Sequence, residues 1–297
     1  QWGVQVPLPG FESKVLYVWF DAVLGYISAT KEWAAALGTP ERWRDYWLDP
    51  TTKYVAFIGK DNVVFHCIVF PAMVMAWNRT SPDRYILPEN VPANEFLNFE
   101  GQKFSKSRGW GIDVDEFLDE FPADTLRYTL TMNLPESRDA DFTWKDYQAR
   151  VNNELADNIG NFVNRTMTFA HKTFGGVVPA VAHLAARRTS GEGSTDEALA
   201  RETAAAAAAA AEFFERYRFR DGTLSLVNLS RFANKYFNDQ EPWKTAKSDP
   251  ERCAITINNC LQTVRSLAIL LEPVLPFTAA RIWEMLTLSS TQSASGW

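Results

Sequence analysis

Three cations, Lys103, Lys106 and Arg108, fall within six positions of the segment Gly101-Gln102-Lys103-Phe104-Ser105-Lys106-Ser107-Arg108-Gly109. Two serines are interleaved with them, and glycines bracket the run. Glycine is costly in a helix interior and serine competes for backbone hydrogen bonds, so the stretch predicts a mobile loop. Such a loop offers ammonium groups, a guanidinium, hydroxyls and backbone N–H groups together. Lysine meets phosphate as a point charge and arginine as a fork, so the chemistry is phosphate recognition. By composition alone, a plain solvated basic loop reads the same way.

Three further groups invite a chemical reading. Gly59-Lys60-Asp61 follows an apolar run, where glycine admits close backbone approach and Asp accepts hydrogen bonds from hydroxyls; a simple turn uses the same residues. Trp19, Ala22, Tyr26, His66 and Phe70, taken singly, each read as core residues. Asn161 and Arg165 lie four apart on a helical pattern and share a face, while Pro242-Trp243 follows another helix. On residue types alone, these last are an exposed polar pair and a capping Trp.

The elements that must position these residues divide the chain. Val15–Phe20 and Tyr54–Ile58 are continuous β-branched and aromatic runs, as strands buried on both faces are. Arg84–Leu87 is a third strand candidate, and the pair Phe96-Leu97 leads to the basic loop. A helix begins near Gly25, and helical spacing resumes at Val64, Ile68 and Met75, interrupted by Pro71. Strands alternating with helices predict βαβ units, whose ligands bind beyond the carboxyl ends of the strands.

From Val114 onward the pattern is helical. Asp113 caps Val114–Phe121, and Ala123–Asn133 follows Pro122. Thr143 with Asp146 resembles a capping box that opens a long amphipathic helix ending at Gly175-Gly176. Ser194 with Glu197 predicts the cap of the next helix, which runs through Ala204–Ala211. Leu224–Asn238, Glu251–Leu271 and Ala279–Leu286 complete a bundle.

A length of 297 residues predicts two domains. A net charge of -6 argues against indiscriminate nucleic-acid binding, although local patches decide specific binding. The three cysteines form no CxxC pair, so neither a zinc site nor a disulfide framework is expected, and a reducing cytoplasmic setting fits. No apolar run is read as long enough to cross a bilayer, so no membrane partner is expected.

The basic loop resembles the KMSKS signature of class I aminoacyl-tRNA synthetases, with Phe104 where Met is usual. Val18-Trp19-Phe20-Asp21-Ala22, Gly25-Tyr26, Phe57-Ile58-Gly59-Lys60-Asp61, Phe65-His66, and Asn234-Lys235-Tyr236 through Pro242-Trp243 narrow the resemblance to the methionyl-tRNA synthetases. The family's HIGH motif and zinc-bearing insertion lie upstream of this sequence. The resemblance therefore implies the later part of a Rossmann-like nucleotide-binding domain followed by an α-helical anticodon-binding bundle, a fold of α/β plus all-α class. It implies a catalytic portion over residues 1–108, a connecting region over 109–143 and an anticodon-binding domain over 144–297.

The implied reaction joins methionine to ATP as methionyl-adenylate and then transfers methionine to tRNA(Met), with Mg2+ accompanying the ATP. Lys103 and Lys106 are the implied catalytic residues; with Gly59, Asp61, Ser105 and Ser107 they bind ATP. Trp19, Ala22, Tyr26, Asn62, His66 and Phe70 are implied to bind methionine, whose polarisable thioether gains from aromatic edges. Asn161, Arg165 and Trp243 are implied to read the anticodon, since RNA loops are recognised by stacking and by hydrogen bonds to splayed bases. Val23-Leu24 replaces a common Pro-Ile, which alters the turn after Ala22. The upstream half of the catalytic domain is an implied partner, and this chain alone is expected to be inactive. A synthetase for another amino acid, or a non-catalytic tRNA-binding subunit, are the alternatives.

Overall fold

The computed structural model describes residues 5–15 and 21–287. The strand expected at Val15–Phe20 therefore lies, apart from Val15, outside the described residues, as does Trp19. The chain divides into two compact units, one of residues 1–96 with 135–139 and the other of residues 97–134 with 140–297.

In the first unit, α1 (Gly25–Ala36) and α2 (Trp43–Trp47) precede β1 (Tyr54–Val55) and β2 (Ile58–Gly59). A helical run over Lys60–Thr80 leads to β3 (Pro88–Asn90) and β4 (Ala93–Asn94). Pairing is parallel, β1 with β3 and β2 with β4, as expected of a βαβ unit. The strand expected at Arg84–Leu87 is displaced to Pro88–Asn90. The Asn78 side chain donates to Tyr85 O at 2.8 Å and accepts from Tyr85 N at 2.9 Å, and Ile86 N donates to Trp47 O. With that backbone already engaged, the ladder starts at Pro88, a strand-initial position that tolerates proline.

The run from Lys60 to Thr80 is not broken at Pro71. It opens as a 3-10 turn, widens to π-type bonding over Phe65–Val69, and becomes α3 (Phe70–Thr80). Pro71 falls in the first turn of α3, where its missing N–H costs least. By length and mean hydropathy this run is long and apolar enough to cross a bilayer, contrary to the sequence expectation. It serves here as the helix after β2, with Phe70 and Val74 turned into a core that holds Val23, Ile27, Ala34, Trp43 and Trp47, and with His66 buried. Val23, one of the departures from the family pattern, is 2% exposed and contributes to that core.

The second unit opens with a small sheet. β5 (Leu97–Phe99) pairs antiparallel with β6 (Gln102–Lys103) and parallel with β7 (Ala140–Phe142). Glu100 and Gly101 join β5 to β6 with φ of 48° and 75°, the sign a type I′ hairpin requires at both positions. α4 (Val114–Glu120) is capped by Asp113, which accepts from Asp115 N and Glu116 N, and α5 (Ala123–Met132) follows Pro122. Thr143 caps α6 (Trp144–Arg150), which continues through a π-type stretch over Val151–Gly160 into α7 (Asn161–Phe174). Gly175, at φ 62°, ends that helix.

The bundle is completed by α8 (Asp196–Glu215), α9 (Phe219–Asp239), α10 (Pro242–Ser248), α11 (Pro250–Leu270) and α12 (Pro276–Met285). The cap of α8 is Thr195, which accepts from Ala198 N at 3.2 Å, and not Ser194. Ser194 Oγ instead accepts from Lys235 Nζ on α9. Ala206 and Ala210 of the alanine run are buried on the bundle side. Where α8 ends, the Phe214 ring occupies the space a Cβ at Gly222 would need, with only 2.4 Å between them.

Candidate functional site

In the first unit, Tyr26 and His66 face each other. Their rings are 5.7 Å apart, and the Tyr26 hydroxyl lies 2.9 Å from His66 Nε2. The other ring nitrogen, Nδ1, lies 2.9 Å from Asn62 O. A carbonyl only accepts, so Nδ1 carries a proton and donates to Asn62 O, while the Tyr26 hydroxyl bonds Nε2 on the other side of the ring. The imidazole is 3% exposed, whereas Tyr26 is 44% exposed. The pair thus presents an aromatic surface with its polar atoms already satisfied, suited to an uncharged, polarisable side chain.

Phe70 is 1% exposed and packs edge-on to Trp47 and Tyr54, so it supports this cluster from the core. Asn62 contributes its carbonyl to His66, and Ala22 is exposed. Tyr54, which sequence reasoning treated only as a strand residue, lies 6.4 Å from Tyr26 and 6.0 Å from Phe70. Its hydroxyl is buried with no hydrogen-bond partner among the described residues, and burial pushes its pKa up to about 12.

Gly59 ends β2 in an extended conformation, and a Cβ there would meet no atom within 4 Å. Neither local packing nor backbone conformation demands glycine at this position, which leaves room for close approach of a ligand. Asp61 is exposed in the turn that follows. Lys60, between them, is held by Glu95 and by Asp139 at 3.1 Å, and its ammonium lies 4.4 Å from the centre of the Phe96 ring. Phe96 N donates to Asp139, and that bond together with Lys60 holds the Asp139 carboxyl below its ordinary range.

In the second unit, the basic segment has more local order than a mobile loop. Lys103 ends β6, Lys106–Arg108 form one 3-10 turn, and Gly109 closes it at φ 62°. Ser105 N donates to Trp110 O at 2.8 Å and Trp110 N to Ser105 O at 3.0 Å, pinching the turn at its base. The Ser105 and Ser107 hydroxyls are 3.2 Å apart, and Arg108 reaches back to Lys103 O. Lys106 is exposed and has no ion-pair partner among the described residues. The hairpin is held from the opposite side: Gly101 N donates to both oxygens of Asp141, and Trp144 N donates to Glu100 Oε1. A short turn with exposed ammonium groups and paired hydroxyls can take up phosphate oxygens.

The bundle brings two of the other predicted residues, Arg165 and Trp243, around one ring. The Arg165 guanidinium lies 4.4 Å from the centre of Phe237, and Trp243 packs on Phe237 at 6.3 Å. Arg165 donates to Asn238 Oδ1 at 2.7 Å, and Asn161 donates to Asn234 Oδ1 at 3.3 Å. The i, i+4 pair on α7 therefore faces an i, i+4 pair on α9. Trp243 is 43% exposed beyond a bend at Glu241, whose φ is 45°. Asn234, Phe237 and Asn238 lie in the stretch that carried the family resemblance but were not expected as site residues; their spacing on an amphipathic helix was the available signal. Among the described residues, no cluster of His, Cys, Asp or Glu could hold a metal ion.

Comparison with known proteins divides the chain at a different place, inside the second unit. The family model described as tRNA synthetases class I (M) matches residues 1–167, and that described as the anticodon binding domain of methionyl tRNA ligase matches residues 188–296. A methionine–tRNA ligase of Chloroherpeton thalassium is 49% identical over 295 residues, covering 99% of this chain and 41% of that protein. Another, of Flavobacterium psychrophilum, is 50% identical over 294 residues, covering 98% of this chain and 41% of that protein. The crystal structure of the Mycobacterium tuberculosis methionyl-tRNA synthetase bound by methionyl-adenylate superposes with a TM-score of 0.79 at 26% identity. That match covers 98% of this chain and 54% of the other. The chain spans about two fifths of the length of the curated relatives it matches.

Proposed function

This chain belongs to the class I methionyl-tRNA synthetases, and from that premise we propose that it serves in activating methionine with ATP and charging tRNA(Met). The observation that carries the reading is similarity to methionine–tRNA ligases along 98–99% of the chain. The site geometry supplies its physical basis.

In this reading Trp19, Ala22, Tyr26, Asn62, His66 and Phe70 bind methionine. The Tyr26–His66 pair offers the thioether an aromatic wall. Gly59 and Asp61 take the ribose hydroxyls of ATP. Lys103, Ser105, Lys106 and Ser107 take its phosphates, with Lys103 and Lys106 as the catalytic cations. Adenylation places the methionine carboxylate on the α-phosphorus and expels pyrophosphate. The protein has little covalent work to do, so positioning and charge stabilisation dominate. Lys106, exposed at the tip of the turn, is the main stabiliser of charge developing on the phosphates. Mg2+ travels with the ATP, bound largely through the phosphates.

Asn161, Arg165 and Trp243 read the anticodon, with Trp243 and the Arg165 guanidinium as stacking surfaces and Asn161 as the amide for base edges. A reducing cytoplasm suits the three free thiols.

The test is amino-acid-dependent ATP–pyrophosphate exchange in the full-length enzyme, run across methionine, leucine and valine, followed by charging of tRNA(Met). Methionine should lead the others in kcat/KM by at least about tenfold to a hundredfold. Equal exchange with leucine would reassign the amino acid. Binding of tRNA without exchange would make the protein a binding subunit.

A further inference from the structure

Phe104 is the one residue of the basic turn that departs from the family signature, and its aromatic ring needs room that a flexible Met would not. The structure supplies that room at Gly111. A Cβ built on Gly111 would lie 3.0 Å from Phe104 Cδ1 and 3.6 Å from Cε1, and within 4 Å of nothing else described. Gly111 is not among the residues with positive φ, so the backbone does not ask for glycine there. What asks for it is the ring.

The face of the same ring stacks on Phe99, with centroids 5.7 Å apart and planes 22° apart. Phe99 is itself fixed: it is 8% exposed, Trp110 leans on it at 5.4 Å, and Trp110 Nε1 donates to Phe99 O at 3.0 Å. Phe104 is thus wedged between a buried ring and a bare Cα. Lys103 and Ser105 are its chain neighbours, and Lys106 follows.

We infer that Phe104 and Gly111 are a size-matched pair of positioning residues: Gly111 admits the ring, so that the ring packs on Phe99 without displacing the backbone that carries Lys103 and Lys106. The catalytic consequence rests on the adenylation reading above; the ordering of the turn does not.

The test uses three full-length variants, Gly111→Ala, Phe104→Met and the double variant. In Gly111→Ala the ring must give by a few tenths of an ångström, so kcat for methionine-dependent exchange should fall by about fivefold to tenfold, short of the roughly hundredfold loss for displacing a catalytic group by ~1 Å. The KM for methionine should stay unchanged. Phe104→Met alone should stay within about threefold of wild type, and in the double variant Met, with its flexible thioether chain, should restore most of kcat. Trypsin, which cuts after Lys103, Lys106 and Arg108, gives a readout independent of activity. Cleavage there should quicken several-fold in Gly111→Ala and return in the double variant, while melting temperatures stay within about 2 °C, since Phe104 is 45% exposed.

Wild-type kcat and cleavage in Gly111→Ala overturn the inference. So does a loss that persists in the double variant, because the ring would then not be the partner. Faster cleavage with unchanged kcat also overturns it, since the turn's order would not matter to the reaction. If Lys106→Ala leaves exchange untouched, the adenylation reading fails instead, and the trypsin result still decides the pair.

Discussion

Replacing Asp196 by Asn removes one negative charge from the most completely bonded side chain of the bundle. Asp196 opens α8, and its side chain is 2% exposed. Arg252 grips it with two bonds of 2.6 Å, Asn259 donates at 2.9 Å, Thr189 N at 2.7 Å, and the Tyr236 hydroxyl donates as well. Arg252 is 13% exposed and also reaches Gln240, so the network ties α8 and α11 to the end of α9 that carries Phe237 and Asn238. An Asn amide cannot accept all these donors, and it leaves the Arg252 guanidinium buried without a counter-charge. Breaking a buried pair from one side costs about 3–5 kcal/mol. At about 2–4 °C per kcal/mol for a unit of this size, the melting temperature should drop by roughly 6–20 °C.

The pH dependence is a second check on the same residue. Burial pushes the Asp196 carboxyl up, but Arg252, Tyr236 and Thr189 N outweigh it and bring the pKa down from 3.8 to about 2. A carboxyl depressed by folding contributes stability above its unfolded value, near pH 4, and loses it as pH falls through about 2. The gap corresponds to roughly 2–3 kcal/mol. Calorimetry on wild type and Asp196→Asn at pH 7 and pH 3 should therefore show the gap between their melting temperatures narrowing in acid. A variant that melts within 2 °C of wild type at pH 7, or a gap that widens in acid, would refute the reasoning.

Lys106→Ala should lower kcat for methionine-dependent exchange by about 10²–10³-fold with little change in methionine KM; a main effect on that KM would place Lys106 in ground-state binding. Tyr26→Phe removes the hydroxyl bonded to His66 and should weaken methionine binding by about fivefold to tenfold, leaving the KM for ATP alone; steady-state kinetics in both substrates separates the two. Trp243→Ala should reduce kcat/KM for charging tRNA(Met) by about one to two orders of magnitude while exchange without tRNA holds. Parallel loss of exchange, charging and melting temperature would make Trp243 a bundle residue and not a stacking surface.

Local signals read from the sequence were sound wherever neighbouring residues alone set the outcome. Asp113 and Thr143 cap the helices they were expected to cap, Gly175 stops α7, and the alanine run is helical. Each of these depends on atoms within four positions along the chain. The Tyr26–His66 hydrogen bond was also foreseeable from residue type once the two were placed together.

What lay beyond the sequence depended on distant residues claiming a backbone or side chain. Trp47 and Asn78 engage residues 85 and 86, so the strand begins at Pro88. Lys235 takes Ser194, so Thr195 becomes the cap. Phe142, Trp144 and Asp141 hold Glu100-Gly101 in a turn that Glu disfavours, making a hairpin of what reads as an open loop. Phe237 gathers Arg165 and Trp243, and Gly111 makes space for Phe104, only because folding brings them within reach. Periodicity encodes which face of an element is apolar, whereas the partner that meets that face is set by tertiary packing.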